Sequence, residues 1–586
     1  MNMVRRVSSL VVGALLVAGA TTVPAVAETA PTTLAVEGTL EVVAVETFGT
    51  NADSQHLYSV VTDDGATIPI DLDGEQPANG RFSGELVVEG EVADTLDDRD
   101  LLPPAGGTID EDTRAGRVAT AVAEIQRVPL AVVSSLVSPR NAAAVTTPAP
   151  HRAYVAVIDN RGSVEESDAE ITSLVGDMTD YWVTESNGVI PTFTLAEPVR
   201  RYASTAAGTV GQSCGLRSPN AVWSEARQQF PDVSFAAGSR NHLIVAMANE
   251  CGDAGAAGVA RVGTDLSSEG PMSFTLGSVA TQVGVHEIGH TFGLGHANLA
   301  TCPSVAVCEY FDLYSPMGLA ISGGTFTPPA LGTLFRERLG VLATGEAAQL
   351  SQAGSDQTIA LAPRGSATGT RGILVTDPAT GAVYSIDSRT RTGRDAGTFY
   401  GSSAGLGGGR PSYPQGIVIE RRGANGQVDL MTRPGATGAV GSWTAGAVFA
   451  PSAGMRVTVD ATGAAASVRV QLGDLRAEAG APAAAPAPVA SPASKTFSAT
   501  TPRVTGSVRV GKTVTVKIGS WSPRPAYRYQ WYADGKKITK KATKKSFTLT
   551  SRQTGKRITV KVTARKSGYT TVTKTSRKTA KVATRR

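Results

Sequence analysis

The amino-acid sequence predicts a multidomain chain: a mixed α/β domain flanked by β-rich units and followed by a small Ig-like β-sandwich. Three observations carry this expectation. The chain has 586 residues, room for about three to five units of 100 to 200 residues, each with its own core. Along it the apolar pattern passes from period-two runs to helical spacing and back to period two. The formal charge of +4 conceals a strongly basic end joined to an acidic remainder. With 41% hydrophobic and 18% charged residues, the composition is that of a globular chain and excludes a multi-span membrane protein.

Residues 1–27 read as a secretory signal. Arg5 and Arg6 give the positive start, Leu10 to Ala20 a short apolar run, and Ala25-Val26-Ala27 a small-residue cleavage pattern. The run is too short for a bilayer core that needs about 20 residues, and no later stretch is long enough to span one. The expected location is secreted and extracellular, with no transmembrane segment. Residues 28–149 form an acidic, β-rich unit with alternating runs such as Leu86-Val87-Val88-Glu89-Gly90-Glu91-Val92. An Ala/Thr/Pro-rich connector from Ala142 to Pro150 follows, of the kind a protease can cut, so this unit reads as a pro-region.

Residues 150–348 should be mixed α/β. Tyr154 to Asp159 and His242 to Met247 are apolar enough for buried strands. Glu170 to Thr184 places Ile171, Leu174, Met178 and Trp182 at helical spacing, and Ala221 to Gln229 is a second helix. Residues 349–473 carry short β runs between Gly-rich loops, among them Gly372 to Val375, Gly416 to Glu420 and Met455 to Val459, which predicts a β-sandwich. Residues 474–495 collapse to Ala and Pro, an extended spacer. Residues 496–586 alternate with period two through Val508 to Val510, Thr513 to Val516, Tyr527 to Tyr532 and Ile558 to Val562, with Asp534-Gly535 as a hairpin turn. From Lys495 onward there are 25 Lys and Arg against one acid, Asp534. Such a module should be drawn to a polyanionic cell-surface polymer, the alternative being a merely solubilising face. No nucleic-acid-binding motif accompanies the charge, so no specific nucleic acid is expected.

The four cysteines, Cys214, Cys251, Cys302 and Cys308, fall within one hundred residues. An even count in an exported chain favours disulfides. The expected pairing is sequential, Cys214 with Cys251 and Cys302 with Cys308, with three connectivities open. No C-x-x-C pair suggests a cysteine-built zinc site.

Of six histidines, three lie in His286-Glu287-Ile288-Gly289-His290-Thr291-Phe292-Gly293-Leu294-Gly295-His296. On a helix His290 lies one turn from His286 and about 40° around it, so both imidazoles can meet one cation, with Glu287 on the adjoining flank. Val279 and Val283 would bury the same side. Gly293 allows a sharp turn that brings His296 back as a third ligand. Three imidazoles on Zn²⁺ leave a position for water, whose proton Glu287 can accept before delivering it to a leaving amine.

The pattern H-E-x-x-H-x-x-G-x-x-H resembles the metzincin zinc-peptidase signature. Tyr314-Ser315-Pro316-Met317-Gly318 fits the Met-turn of that family, and Glu309 to Gly318 with Leu339-Gly340-Val341-Leu342 is similar to gametolysin-type peptidases. The resemblance covers about 150 to 345. It implies a secreted zinc endopeptidase acting on protein or peptide, with a five-stranded sheet and a substrate strand along the sheet edge. His286, His290 and His296 would be ligands, Glu287 the base and Met317 the hydrophobic floor. Leu319 stands where some members carry a tyrosine ligand, so no tyrosine switch is expected. No cysteine precedes Cys214, so a pro-region cysteine on zinc is excluded; residues 28–145 inhibit by an acidic side chain, by steric cover, or not at all. Family members often use structural calcium, but Asp71-Leu72-Asp73-Gly74 and Asp97-Asp98-Arg99-Asp100 lack calcium-loop spacing. His56, His151 and His242 read as isolated structural residues. The tail resembles lysine-rich β-modules that end many secreted bacterial proteins. The alternatives are a non-catalytic adhesion protein on a peptidase-like scaffold, and a zinc amidase acting on cell-wall material.

Overall fold

The computed structural model describes residues 32–47, 55–62, 67–72, 80–88, 118–121, 129–139, 147–302, 308–322, 324–406, 410–435, 438–475, 498–519, 521–522, 526–534, 536–538, 544–565 and 572–584. The expected signal, most of the spacer, Asp73 and Asp97 to Asp100 lie outside the described residues. The protein is mostly β, in several sheets with few helices. It divides into two compact units, Met1–Ala479 and Gly480–Arg586. No described helix is long and apolar enough to cross a membrane.

The acidic N-terminal segment folds into five strands, β1 (Thr32–Thr47), β2 (Gln55–Val61), β3 (Thr67–Asp71), β4 (Gly80–Val88) and β5 (Leu130–Pro139). They close in the order β1-β2-β3-β5-β4-β1, antiparallel except for the β3–β5 pair. This is the connectivity of an OB-type barrel. Alternation sends Val36, Leu40, Val60, Ile68, Ile70, Phe82 and Leu86 into one core. Sixteen residues are more than one side of a small barrel can use. The first part of β1 therefore pairs with β4, and its last residues leave the barrel for another strand. Gly38 sits ahead of that crossing, where a Cβ would meet the Val61 carbonyl at 2.4 Å.

The following segment supplies β6 (His151–Ile158), α1 (Asp168–Glu185), β7 (Phe193–Leu195), β8 (Arg200–Tyr202), α2 (Pro219–Arg227), β9 (Asn241–Met247), β10 (Ala256–Arg261), β11 (Met272–Thr275) and α3 (Ala280–Thr291). β11, β9 and β6 run parallel, with β7 and β8 both on the far side of β6, and β10 is antiparallel to β11. β6 and β9 are apolar almost throughout because both faces are covered. α1 and α3 pack on one face with Met178, Trp182, Val283 and Ile288; α2 packs on the other through Val222 and Trp223. Ser167 and Glu170 cap α1 reciprocally. β1 joins this sheet antiparallel to β10, pairing Val43 with Arg261, Ala44 with Ala260 and Val45 with Val259.

Next come β12 (Ala297–Leu299), α4 (Thr333–Arg338), β13 (Ala347–Leu350), β14 (Asp356–Leu361), β15 (Gly372–Thr376), β16 (Val383–Arg389), β17 (Gly416–Arg422), β18 (Val428–Leu430), the short pair β19 (Arg433–Pro434) and β20 (Ala439–Val440), β21 (Val448–Ser452), β22 (Met455–Ala461) and β23 (Ala466–Leu472). A six-stranded sheet β12-β18-β17-β16-β15-β13 faces a four-stranded sheet β14-β23-β22-β21 across one apolar core. β12 and β13 enter it from the α/β side of residue 348, so the sandwich and the α/β segment share a sheet. Buried ions also join them: Arg336 on α4 bonds Glu185 at 2.8 Å and Glu346 at 2.6 Å, and Arg364 and Arg371 close on Glu346.

The basic unit contains β24 (Ser498–Ala499), β25 (Arg503–Thr505), β26 (Thr513–Lys517), β27 (Trp521–Ser522), β28 (Ala526–Ala533), β29 (Lys536–Lys537), β30 (Ser546–Thr548), β31 (Ile558–Arg565) and β32 (Val572–Thr575). Sheets β25-β26-β30 and β29-β28-β31-β32 enclose Val514, Val516, Trp531, Phe547, Val560 and Val562. Asp534, with φ of 45°, turns β28 into β29 as the Asp-Gly pair predicts. The strand expected at Val508 to Val510 is reduced to a single bridge from Arg509 to Ala583.

Candidate metal centre

His286 and His290 sit one turn apart on α3, which ends at Thr291. Gly293 then takes φ of +83°, where a Cβ would strike the Gly263 and Thr264 backbone at 2.9 Å, and the chain reverses to bring His296 back. The three rings are 1–2% exposed. His290 Nε2 lies 3.1 Å from His286 Nε2 and 3.2 Å from His296 Nε2. Each Nδ1 faces an acceptor: the Pro316 carbonyl at 3.1 Å, the Leu294 carbonyl at 2.8 Å and the Glu309 carboxylate at 2.8 Å. Carbonyl and carboxylate oxygens only accept, so each Nδ1–H donates and each Nε2 turns a lone pair inward. Three converging lone pairs repel unless a cation lies between them. Imidazoles about 2.0–2.1 Å from tetrahedral zinc would have nitrogens about 3.3 Å apart, close to the spacing seen. The donor set therefore fits a divalent ion, and these are the three residues that could hold it.

Glu287 is fully buried beside the cluster. Its carboxylate lies over Gly258 of β10, where a Cβ would fall 2.0 Å from Oε1. Met317 is also fully buried, under the bare α-carbon of Gly289, where a Cβ would be 2.5 Å from its Sδ. The turn carrying it is closed by Gly318 N–H on the Ser315 carbonyl and by Met317 N–H on Ser315 Oγ. That turn also supplies the Pro316 carbonyl to His286, so it supports the helix and orients a ligand at once.

His296 is held from a distance in sequence. Gly295 N–H donates to the Gly426 carbonyl, Val428 N–H donates to the His296 carbonyl, and β12 continues as a parallel partner of β18. The sandwich thus positions the third imidazole. The Cys302–Cys308 bond closes the next loop and delivers Glu309 to His296 Nδ1 and Tyr310 to its ring face, 4.4 Å between centroids. Tyr310 accepts φ of +66° there. Cys214 bonds Cys251, tying the short helical segment before α2 to the one that leads into β10. The sequential pairing is the one adopted.

Glu309, the Pro316 and Leu294 carbonyls and Gly258 escape sequence reasoning. Only Glu309 left a signal, a carboxylate next to a cysteine near the motif. Two of the histidines read as isolated are not. His151 Nδ1 and His242 Nε2 are 2.8 Å apart among Phe193 and Phe292. Burial, then Arg240, lowers His151 to about 4, and burial with His151 drives His242 down further. His56 of β2 sets its ring 6.3 Å from that of His296. Compared with known proteins, the chain matches no family model and no curated protein, so the reading of this centre stands on its geometry.

Proposed function

We propose that the protein is a secreted zinc-dependent endopeptidase of the metzincin, gametolysin-like kind, hydrolysing peptide bonds of extracellular proteins. The observation that carries the reading is the inward convergence of three buried imidazoles whose outer nitrogens are all engaged in donation. Bound zinc supplies Lewis acidity, acidifying water and polarising a carbonyl. Glu287, one position along the helix from His286, accepts the proton of the attacking water and delivers it to the departing amide nitrogen. Met317 and Gly289 set the height of the helix floor. Gly258 leaves the edge of β10 open to backbone contact beside the carboxylate, which suits an extended substrate pairing with that strand.

The test is casein hydrolysis by purified protein with its connector cut. Activity should disappear with chelator, return with zinc, and be lost in Glu287→Ala while that variant still binds one zinc. A Glu287→Ala protein of undiminished activity refutes the mechanism, and cleavage of peptidoglycan fragments in place of casein would reassign the bond.

A further inference from the structure

The edge beside Glu287 already carries a strand. β1 pairs with β10 antiparallel over Val43 to Thr47, and Val262 N–H donates to the Val42 carbonyl at 2.8 Å. Val43 and Val45 are buried in the same cluster as Val259 and Tyr154. Glu41 bonds Arg261 at 2.7 Å. The pairing runs past Gly258, the residue against the Glu287 carboxylate. The next strand of the barrel, β2, places His56 opposite Ala44 and against the His296 ring. The barrel therefore meets the metal centre from two sides, through main-chain bonds that any extended peptide could replace.

We infer that β1 is an exchangeable occupant of the substrate edge, which keeps the chain latent until the link between β5 and β6 is cut. This rests on the peptidase reading. The attachment is backbone pairing plus two valines and one ion pair, a mode that gives affinity with little sequence demand. Its persistence comes from tethering: a linked segment sees its site at an effective concentration on the order of millimolar. Hydrolysis of one peptide bond between Pro139 and His151 removes that advantage, water giving OH to the carbonyl carbon and H to the amine. Thr147, Pro148 and Pro150 in this link are exposed and lie in no element, as a cleavable segment requires. After the cut, the barrel departs on dilution and β10 is left for an incoming chain.

The experiment uses the full chain with a specific protease sequence inserted between Pro139 and Thr147. Cutting is expected to raise casein hydrolysis at least tenfold, with a gain that grows on dilution. Glu41→Arg, which sets two cations against each other, should raise the activity of the uncut chain. Ala44→Cys with Ala260→Cys, directly opposed in the register, should form a cross-strand bond and cancel the gain from cutting. Hydrogen exchange in a Glu287→Ala background reads the edge without turnover: amides of Ala256–Arg261 should exchange at least tenfold faster after cutting. An uncut chain as active as the cut one, or β10 amides that stay protected after complete cutting and dilution, overturns the inference. A deprotected β10 in a cut wild-type chain inert toward casein supports the strand exchange and sinks the peptidase reading alone.

Discussion

Gly258→Ala separates catalysis from stability. An added Cβ would lie 2.0 Å from Glu287 Oε1, whereas ordinary contact begins at 3.4 Å, so the carboxylate must retreat by about 1.4 Å. What it meets is the end of a flexible side chain, so the fold absorbs the methyl cheaply, at a cost on the order of 1 kcal/mol or less. The reaction does not, because a reacting group displaced by about 1 Å costs roughly 100-fold. That loss corresponds to about 2.7 kcal/mol of transition-state stabilisation. The assay is kcat/KM on a quenched fluorescent peptide, using protein cut in the connector, with zinc content and thermal midpoint measured in parallel. Zinc should remain at one per chain, since no histidine contacts residue 258's new methyl among the three nearest atoms. A variant with kcat/KM within twofold of wild type would show that Glu287 does not work from this position. One that loses zinc or unfolds would show that Gly258 serves the fold.

Three further outcomes follow from the same geometry. Glu309→Gln keeps the shape but weakens the acceptor on His296 Nδ1, so zinc affinity should fall about 10- to 100-fold in competition with a chromogenic chelator. Arg336→Met strands the Glu185 and Glu346 carboxylates in the interior and should cost about 3–5 kcal/mol in urea unfolding, although burial alone opposes the charge on Glu346 that Arg364 and Arg336 hold down to about 2. The His151–His242 pair should make the fold acid-sensitive. Because folded His151 titrates near 4 against 6.5 in the unfolded chain, its contribution is present above about pH 6.5 and lost as pH falls towards 4, some 3 kcal/mol for that ring. Urea midpoints measured from pH 7 to pH 4 should fall in wild type and far less in His151→Phe/His242→Leu.

The metal centre was largely legible in the chain because its signals are local. Helical period puts His286 and His290 on one face, and a left-handed position at 293 calls for glycine. A turn with a buried methionine lies a short way beyond, and two close cysteine pairs are of a length to bond each other. Strand and helix positions such as His151–Ile158, Asp168–Glu185 and Met455–Ala461 follow from apolar period in the same way. The partners of those strands were not legible. A row of N–H and C=O groups is the same on every strand, so nothing in Val42 to Thr47 names β10, and nothing in Val428-Asp429-Leu430 names the residues after His296. Those choices, with the ring contacts of His56 and the meeting of His151 with His242, depend on segments about 40 to 240 residues apart in sequence whose apolar faces fit only once folded. Tertiary structure therefore decided what holds the third histidine and what covers the edge beside Glu287.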